Sequence, residues 1–398
     1  MSFLTEMDAL PLAGLRERAE QGSLAAAHES LGKTQPTLAD FAHLLSLDAG
    51  ALLETMAQRA HALTRQRFGK VIRLFAPLYL SNECINKCLY CGFSRDNAIL
   101  RVTLTQEEIL REAGAIREAG FRNLLLVAGE HPRFVSPDYL RQSVHDLREL
   151  FPSISLEVGP LSTEEYRQCV EAGADGLVVY QETYDRDVYA KMHVSGPKRD
   201  FAHRLETPER AAAAGFRRIG IGALYGLADW RFEALCTAAH AAYLLRHCWK
   251  SAITISLPRL RPCAGEFQPI VHMTDREMVQ LVCAFRLFLP DVGLVLSTRE
   301  APRLRDGLIP LGITLISAGS HTEPGGYTNA GHEHLHLSQR PQAAGLDPAP
   351  PPAPVRPTDH ATGQFEIADN RSPAEVASLI RRLGYEPVWK DWDAALSE

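Results

Sequence analysis

Long apolar runs are missing from this 398-residue sequence. None nears the ~20 residues that a membrane-crossing helix needs, so no such helix is expected. A surplus of positive charge is missing too. Lysine and arginine total 42 against 48 aspartates and glutamates, a net charge of −6 that leaves no basic footprint for nucleic acid. Cysteine is sparse at eight residues, too few in a chain this long to build a disulfide framework. The N-terminus lacks the basic start and apolar core of a secretory signal. These absences favour a reducing cytoplasm. What is present is an ordinary globular composition, 45% hydrophobic and 23% charged. That suffices for one large barrel with attachments or for two domains.

The sparse cysteines are not scattered evenly. Cys84, Cys88 and Cys91 fall in C-x-x-x-C-x-x-C spacing on a polar loop just after the apolar run Val71–Leu80. Structural zinc is almost always held by four protein ligands, and ferredoxin-type clusters by four thiolates. Three thiolates suggest a [4Fe–4S] cluster with one iron open to another ligand. A zinc knuckle borrowing a distant ligand, or buried reduced cysteines, are the alternatives. The polar neighbours Asn82, Asn86 and Lys87 and the lack of an H-x-x-x-H companion favour the cluster. Cys169, Cys236, Cys248 and Cys283 sit in helical patterns and read as small core residues. Cys263 follows a strand and suggests no role.

Residues 1–70 have helical periodicity and read as a lead-in segment. From Val71 short apolar runs alternate with helical patterns: strands at Val71–Leu80, Asn123–Val127, Ser155–Val158, Gly176–Tyr180, Arg218–Gly222, Ala252–Leu257, Gly293–Ser297 and Ile313–Ser317. Thr105…Glu108, Ser162…Glu165 and Thr274…Glu277 fit capping boxes at helix starts. Ser136-Pro137 and Thr207-Pro208 each pair a cap with proline at the first helical position. Alternation of this kind predicts an α/β fold with a parallel (β/α) barrel over residues 71–330, an open doubly wound sheet being the competitor. A Pro-rich linker is expected over 331–371, with Pro348–Pro357 stiff and extended. His332, His334 and His336 alternate beside it and read as a solvated stretch. Residues 372–398 are expected to form a helix capped by Ser372 and Glu375 and a tail pinned by Trp389 and Trp392.

C-x-x-x-C-x-Φ-C with Tyr90 as the aromatic, after the first strand of such a barrel, resembles the radical S-adenosylmethionine enzymes. Their fold is a TIM-like barrel, and their open iron is chelated by S-adenosylmethionine. Electron transfer then releases a 5′-deoxyadenosyl radical. The likeness extends to the tyrosine-lyase branch that serves thiamine biosynthesis. It is carried by Pro77–Asn82, Tyr90–Phe93, Gly129–His131, Tyr180–Tyr184, Arg204–Pro208, Pro258–Cys263, Leu296–Glu300 and Pro387–Asp393.

The resemblance implies Cys84, Cys88 and Cys91 as cluster ligands and Tyr90 as part of the cofactor site. Gly129-Glu130 stands where relatives carry a "GGE" motif, with Ala128 replacing the first glycine. Glu182 is implied at the ribose hydroxyls, Arg204 at the methionine carboxylate, and Gly220 and Gly222 against the adenine. The carboxylate of a buried amino acid needs a neutralising partner. Arg299, after the seventh strand, is the candidate, with Ser297, Ser317 and Ser320 nearby; a surface pair with Glu300 is the alternative. The implied reaction cleaves L-tyrosine between Cα and Cβ to p-cresol and dehydroglycine (2-iminoacetate). Implied partners are the thiazole synthase ThiG and an external electron donor of flavodoxin or ferredoxin type. A hydrogenase-maturation tyrosine lyase of HydG type would need a second cysteine set, and none follows Cys283. A tryptophan-cleaving relative stays open. No residue can be singled out to handle the phenol proton.

Overall fold

In the computed structural model, residues 2–338, 356 and 358–390 are described. Nine parallel strands can be followed: β1 Val71–Ser81, β2 Asn123–Ala128, β3 Ser153–Glu157, β4 Gly176–Glu182, β5 Arg218–Ala223, β6 Ala252–Ser256, β7 Gly293–Leu296, β8 Leu315–Ser317 and β9 Glu386–Val388. β1 to β8 pair in sequence order, and β8 returns to β1 through Arg73–Leu315, Leu74–Ile316 and Phe75–Ser317. The sheet therefore closes into an eight-stranded barrel, and the open doubly wound alternative is excluded. No helix among the described residues is long and apolar enough to cross a membrane.

Local chemistry explains why the intervening segments are helical. The capping boxes of Thr105, Ser162 and Thr274 all form, and Ser136 accepts from the Tyr139 amide ahead of a proline at the first turn. Thr207 is a correction. Its hydroxyl donates to the His203 carbonyl, and Glu206 occupies the N-cap, because the preceding short helix Phe201–Leu205 runs almost directly into this one. Cys169, Cys236 and Cys283 are buried in helices, whereas Cys248 ends its helix half-buried.

The N-terminal helices, Phe3–Ala9 to Leu53–Phe68, pack outside the barrel helices. Phe41 sits between Phe285 and Phe288 at 5.2 and 5.1 Å, and Gln280 Nε2 donates to the Leu44 and Ser46 carbonyls. At the other end of the chain, residues 358–369 run across the barrel mouth. The helix Pro373–Arg382 then descends the outside, and β9 joins the start of β1. There the Trp389 ring meets Phe121 edge-on at 5.2 Å. Trp392 and the prolines of 348–357 lie outside the described residues.

Candidate active site

The cysteine loop follows β1 and contacts the end of β2 and the segment after β4. Arg101, buried, donates to the Asn82, Phe93 and Ser94 carbonyls and so fixes both sides of the loop. Lys87-Cys88 forms a short antiparallel ladder with His193–Ser195. Cys88 packs with Tyr90, Met192, Leu224 and Leu227. Burial pushes the Cys88 thiol up, with Lys198 opposing, and does the same to Cys91. A thiolate at either position needs compensating positive charge, which a metal centre supplies. All three cysteines are free thiols, and no three metal-binding side chains among the described residues converge on a point for one ion. Three thiols on one loop without a fourth local ligand suit a cluster with an open iron better than a structural zinc.

Around this loop the expected residues come together, along with several that sequence reasoning passed over. Glu130 Oε2 accepts from Asn86 Nδ2 at 2.6 Å, and the same amide lies 3.7 Å from Cys84 Sγ. Asn86 Oδ1 also accepts from the Lys198 amide, tying the cysteine loop to the loop after β4. Gly129 is needed for space: a Cβ there would lie 2.2 Å from the Glu83 carbonyl. Glu182 carries φ +71° at a register shift between β4 and β5, a conformation that costs a non-glycine residue about 1–3 kcal/mol. Its carboxylate meets Lys198 Nζ at 2.6 Å and Arg204 at 3.3 Å. Desolvation alone would raise Glu182, but Lys198 and Arg204 outweigh it and hold the carboxyl below its ordinary range. Two cations sharing one carboxylate leave positive charge beside the thiols, suited to an anionic cluster and a ligand carboxylate.

Two expected positions also make structural contacts of their own. Tyr90 anchors the loop: His193 Nδ1 faces the Tyr189 carbonyl, so Nε2 accepts the Tyr90 hydroxyl at 2.8 Å. Gly220 does not reach the strand end. It lines the lower barrel interior, where a Cβ would lie 3.0 Å from Thr254 Oγ1, and close packing accounts for it. Gly222, nearer the mouth, leaves no room beside the Ser256 carbonyl.

Next to the cysteine loop a cavity opens inside the barrel mouth. Arg299, Ser297, Ser317 and Ser320 all line it. The Arg299 guanidinium lies over the Phe365 ring at 3.4 Å, and no carboxylate pairs with it among the described residues. Glu300 turns away to Arg259, which removes the surface-pair alternative. Ser317 Oγ already accepts from the Thr298 amide, whereas the buried Ser320 hydroxyl has no hydrogen-bond partner among the described residues. Tyr79, Phe75, Leu125, Val127 and Tyr180 form an aromatic and aliphatic wall, and Glu157 faces the same space. The chain beyond the linker completes the cavity. Gln364 accepts from Tyr79 Oη at 2.8 Å, and Gly92 has no room for a Cβ beside the Gln364 carbonyl. Among these, Glu157, Lys198, Phe365 and Gln364 carry no motif that would single them out. Cys263 donates to the Tyr90 carbonyl and so braces the cysteine loop.

A parallel barrel with a three-thiol loop after its first strand and cations at its fourth defines the radical S-adenosylmethionine class. Residues 78–239 match the Radical SAM superfamily, and residues 256–386 match the Biotin and Thiamin Synthesis associated domain. The 2-iminoacetate synthase of Escherichia coli (strain K12) is 45% identical over 383 residues, 96% of this chain and 94% of that protein. The enzyme of the same name from Salmonella typhimurium is 46% identical over 358 residues, covering 90% and 88%. The chain belongs to the 2-iminoacetate synthase family of radical SAM enzymes. Among solved structures, HydG, a maturase of the [FeFe]-hydrogenase, superposes with TM-score 0.83 at 32% identity over 95% of this chain and 79% of its own. Methylornithine synthase (PylB) shares the fold at TM-score 0.69 and 20% identity, covering 91% of this chain and 97% of its own.

Proposed function

We propose that this enzyme cleaves L-tyrosine between Cα and Cβ, releasing 2-iminoacetate and p-cresol, and thereby supplies the thiazole moiety of thiamine. The observation that carries this reading is Arg299, a guanidinium with no ion-pair partner among the described residues, in an aromatic-walled cavity beside the cysteine loop. Arg299 would take the substrate carboxylate with the bidentate fit of fork to carboxylate, and Ser320 and Ser297 would add hydroxyl donors. The phenol ring would lie along Tyr79, Phe75 and Leu125. Identity of 45–46% to the 2-iminoacetate synthases, against 32% to HydG, favours this reading over the hydrogenase-maturation alternative.

Cys84, Cys88 and Cys91 would hold a [4Fe–4S] cluster, and Glu130, Glu182, Arg204 and the Gly129 and Gly222 backbone would receive S-adenosylmethionine. When bound, these groups supply one-electron reduction and a hydrogen-atom acceptor. The residues of the chain exclude water and hold the substrate amino group against that acceptor, which is positioning work. Loss of one hydrogen atom from the amino group weakens the Cα–Cβ bond. Its homolysis leaves 2-iminoacetate and a hydroxybenzyl fragment, which one electron and one proton convert to p-cresol. A flavodoxin or ferredoxin would supply electrons, and the thiazole synthase ThiG would consume the 2-iminoacetate. The test is anaerobic incubation of reconstituted enzyme with tyrosine, dithionite and S-adenosylmethionine, followed by assay of p-cresol. Making 5′-deoxyadenosine without p-cresol would reject tyrosine, and the same assay with tryptophan tests the relative that cleaves it.

A further inference from the structure

Glu157 ends β3 at the wall of the mouth cavity, and the reading above leaves it without a task. Barrel order sets it against the substrate anchor. The third of eight strands stands opposite the seventh, and Arg299 follows the seventh. Both side chains line the same enclosed space. Glu157 is half-buried, and the surface it retains faces that cavity. Among the described residues none donates a hydrogen bond to its carboxyl, an unusual state for a carboxylate inside a barrel. Tyr79 of β1 and Tyr180 of β4 line the cavity with Glu157, and Ser297, Ser317 and Ser320 line it with Arg299 and Phe365.

An aromatic amino acid held by its carboxylate at Arg299 would therefore point its ring across the mouth toward Glu157. We propose that Glu157 accepts the phenolic proton of the bound substrate as the Cα–Cβ bond breaks and returns it to the departing phenol. This assignment rests on the tyrosine-lyase reading. The proton passes from the phenol oxygen to the carboxylate, so homolysis yields 2-iminoacetate and an oxidobenzyl fragment. One electron from the flavodoxin- or ferredoxin-type donor and two protons, one of them from Glu157, then complete p-cresol.

The electrostatics fit a group that must take and return a proton near neutrality. Burial pushes Glu157 up to about 7, opposed first by Arg299. Glu182 pushes in the same direction as burial, while Arg204 and Lys198 oppose it. Tyr79 and Tyr180, which also face it, are themselves raised by burial and by Glu157, so they stay protonated. A proton acceptor works best with a pKa near the operating pH.

The experiment compares wild type, Glu157→Gln and Glu157→Asp on tyrosine and on 3,5-difluorotyrosine, whose phenol is more acidic. Tyrosine binding is followed by calorimetry, and folding by thermal unfolding and iron content. Glu157→Gln should form p-cresol about 100-fold more slowly or worse, the scale of a lost general base. Tyrosine affinity should change little, and difluorotyrosine should restore much of the rate. Glu157→Asp should retain more activity than the glutamine variant. The wild-type rate should rise with pH through about 7 as the carboxylate forms, and Glu157→Gln should lose that limb. Equal losses on both substrates together with weakened binding would overturn the assignment and make Glu157 an anchor for the substrate ammonium. Wild-type rates in a folded glutamine variant would overturn it while leaving the tyrosine-lyase reading intact. A wild-type enzyme that makes no p-cresol would overturn both. If the glutamine variant does not fold, the aspartate variant decides: a folded protein with an unshifted pH limb and no greater gain on difluorotyrosine rejects the proposal.

Discussion

Single residues divide the site into a cofactor side and a substrate side, and substitutions should separate them. Cys88→Ala removes a buried thiol beside Lys198 and should abolish the cluster, read as loss of iron and of visible absorbance after reconstitution. The variant should still unfold cooperatively, since one small side chain leaves the core. Arg299→Ala should keep the cluster and its response to S-adenosylmethionine yet lose tyrosine-dependent p-cresol formation by at least about 100-fold. Truncating a buried charged partner typically costs about 2–5 kcal/mol. Normal turnover in that variant would remove Arg299 from the substrate site. The cysteines were legible from their spacing and Arg299 from its place after a strand, while Glu130, Glu182 and Arg204, the last of them in the short helix Phe201–Leu205, were legible through the family resemblance. Glu157 and Lys198 were not, because a lone glutamate or lysine has no spacing signal. Their meaning comes from what faces them.

Elements were legible nearly to the residue, because caps and apolar periodicity are local. Five of the described helices open with a full capping box: those capped by Thr37, Thr105, Ser162, Thr274 and Ser372. Ser372 matters most for the chain beyond the linker, since its helix carries β9 to the base of the barrel. Ser372→Ala should lower stability by about 1 kcal/mol in denaturant titration, the usual cost of losing a side-chain cap. A loss within error would mean that packing of Val376, Ala377 and Ile380 alone holds the helix. Thr207 shows where local reading fails. A cap assignment depends on where the previous element stops, and a short helix abutting this one moved the boundary.

For the whole molecule, the decisive contact joins the segment over the barrel mouth to the barrel itself. Arg305 and Asp369 form an ion pair with no solvent exposure, Arg305 also donates to the Ser317 carbonyl at the end of β8, and Arg371 reaches Asp369 from outside. Asp369→Ala should cost about 3–5 kcal/mol, because it strands a buried guanidinium. It should also raise the KM for tyrosine, since Phe365 under Arg299 lies four residues upstream. Asp369 further predicts an acid limit. Desolvation works to raise its pKa, but hydrogen bonds from Arg371 and the charge of Arg305 prevail and hold it below the usual carboxylate range. Its contribution is complete above the unfolded value of about 3.9 and is lost as pH falls through the lowered folded value. Denaturant titrations between neutral and strongly acidic pH should show a steeper acid loss in the native protein than in Asp369→Asn.

The sequence established the alternation of strands and helices and the three-thiol loop; only closure of the sheet chose the barrel over an open doubly wound sheet. Strand periodicity, helix caps and ligand spacing all operate within a few residues, where chain geometry leaves little choice. It also placed Arg299 at a strand end, where barrel enzymes keep their chemistry. Only the tertiary structure decided what surrounds that arginine. Phe365 and Gln364 arrive from beyond the Pro-rich stretch, Lys198 folds back onto Glu182, and barrel closure sets the third strand opposite the seventh. Those juxtapositions depend on closure of the whole sheet and on burial of charge between distant segments, which no local pattern encodes.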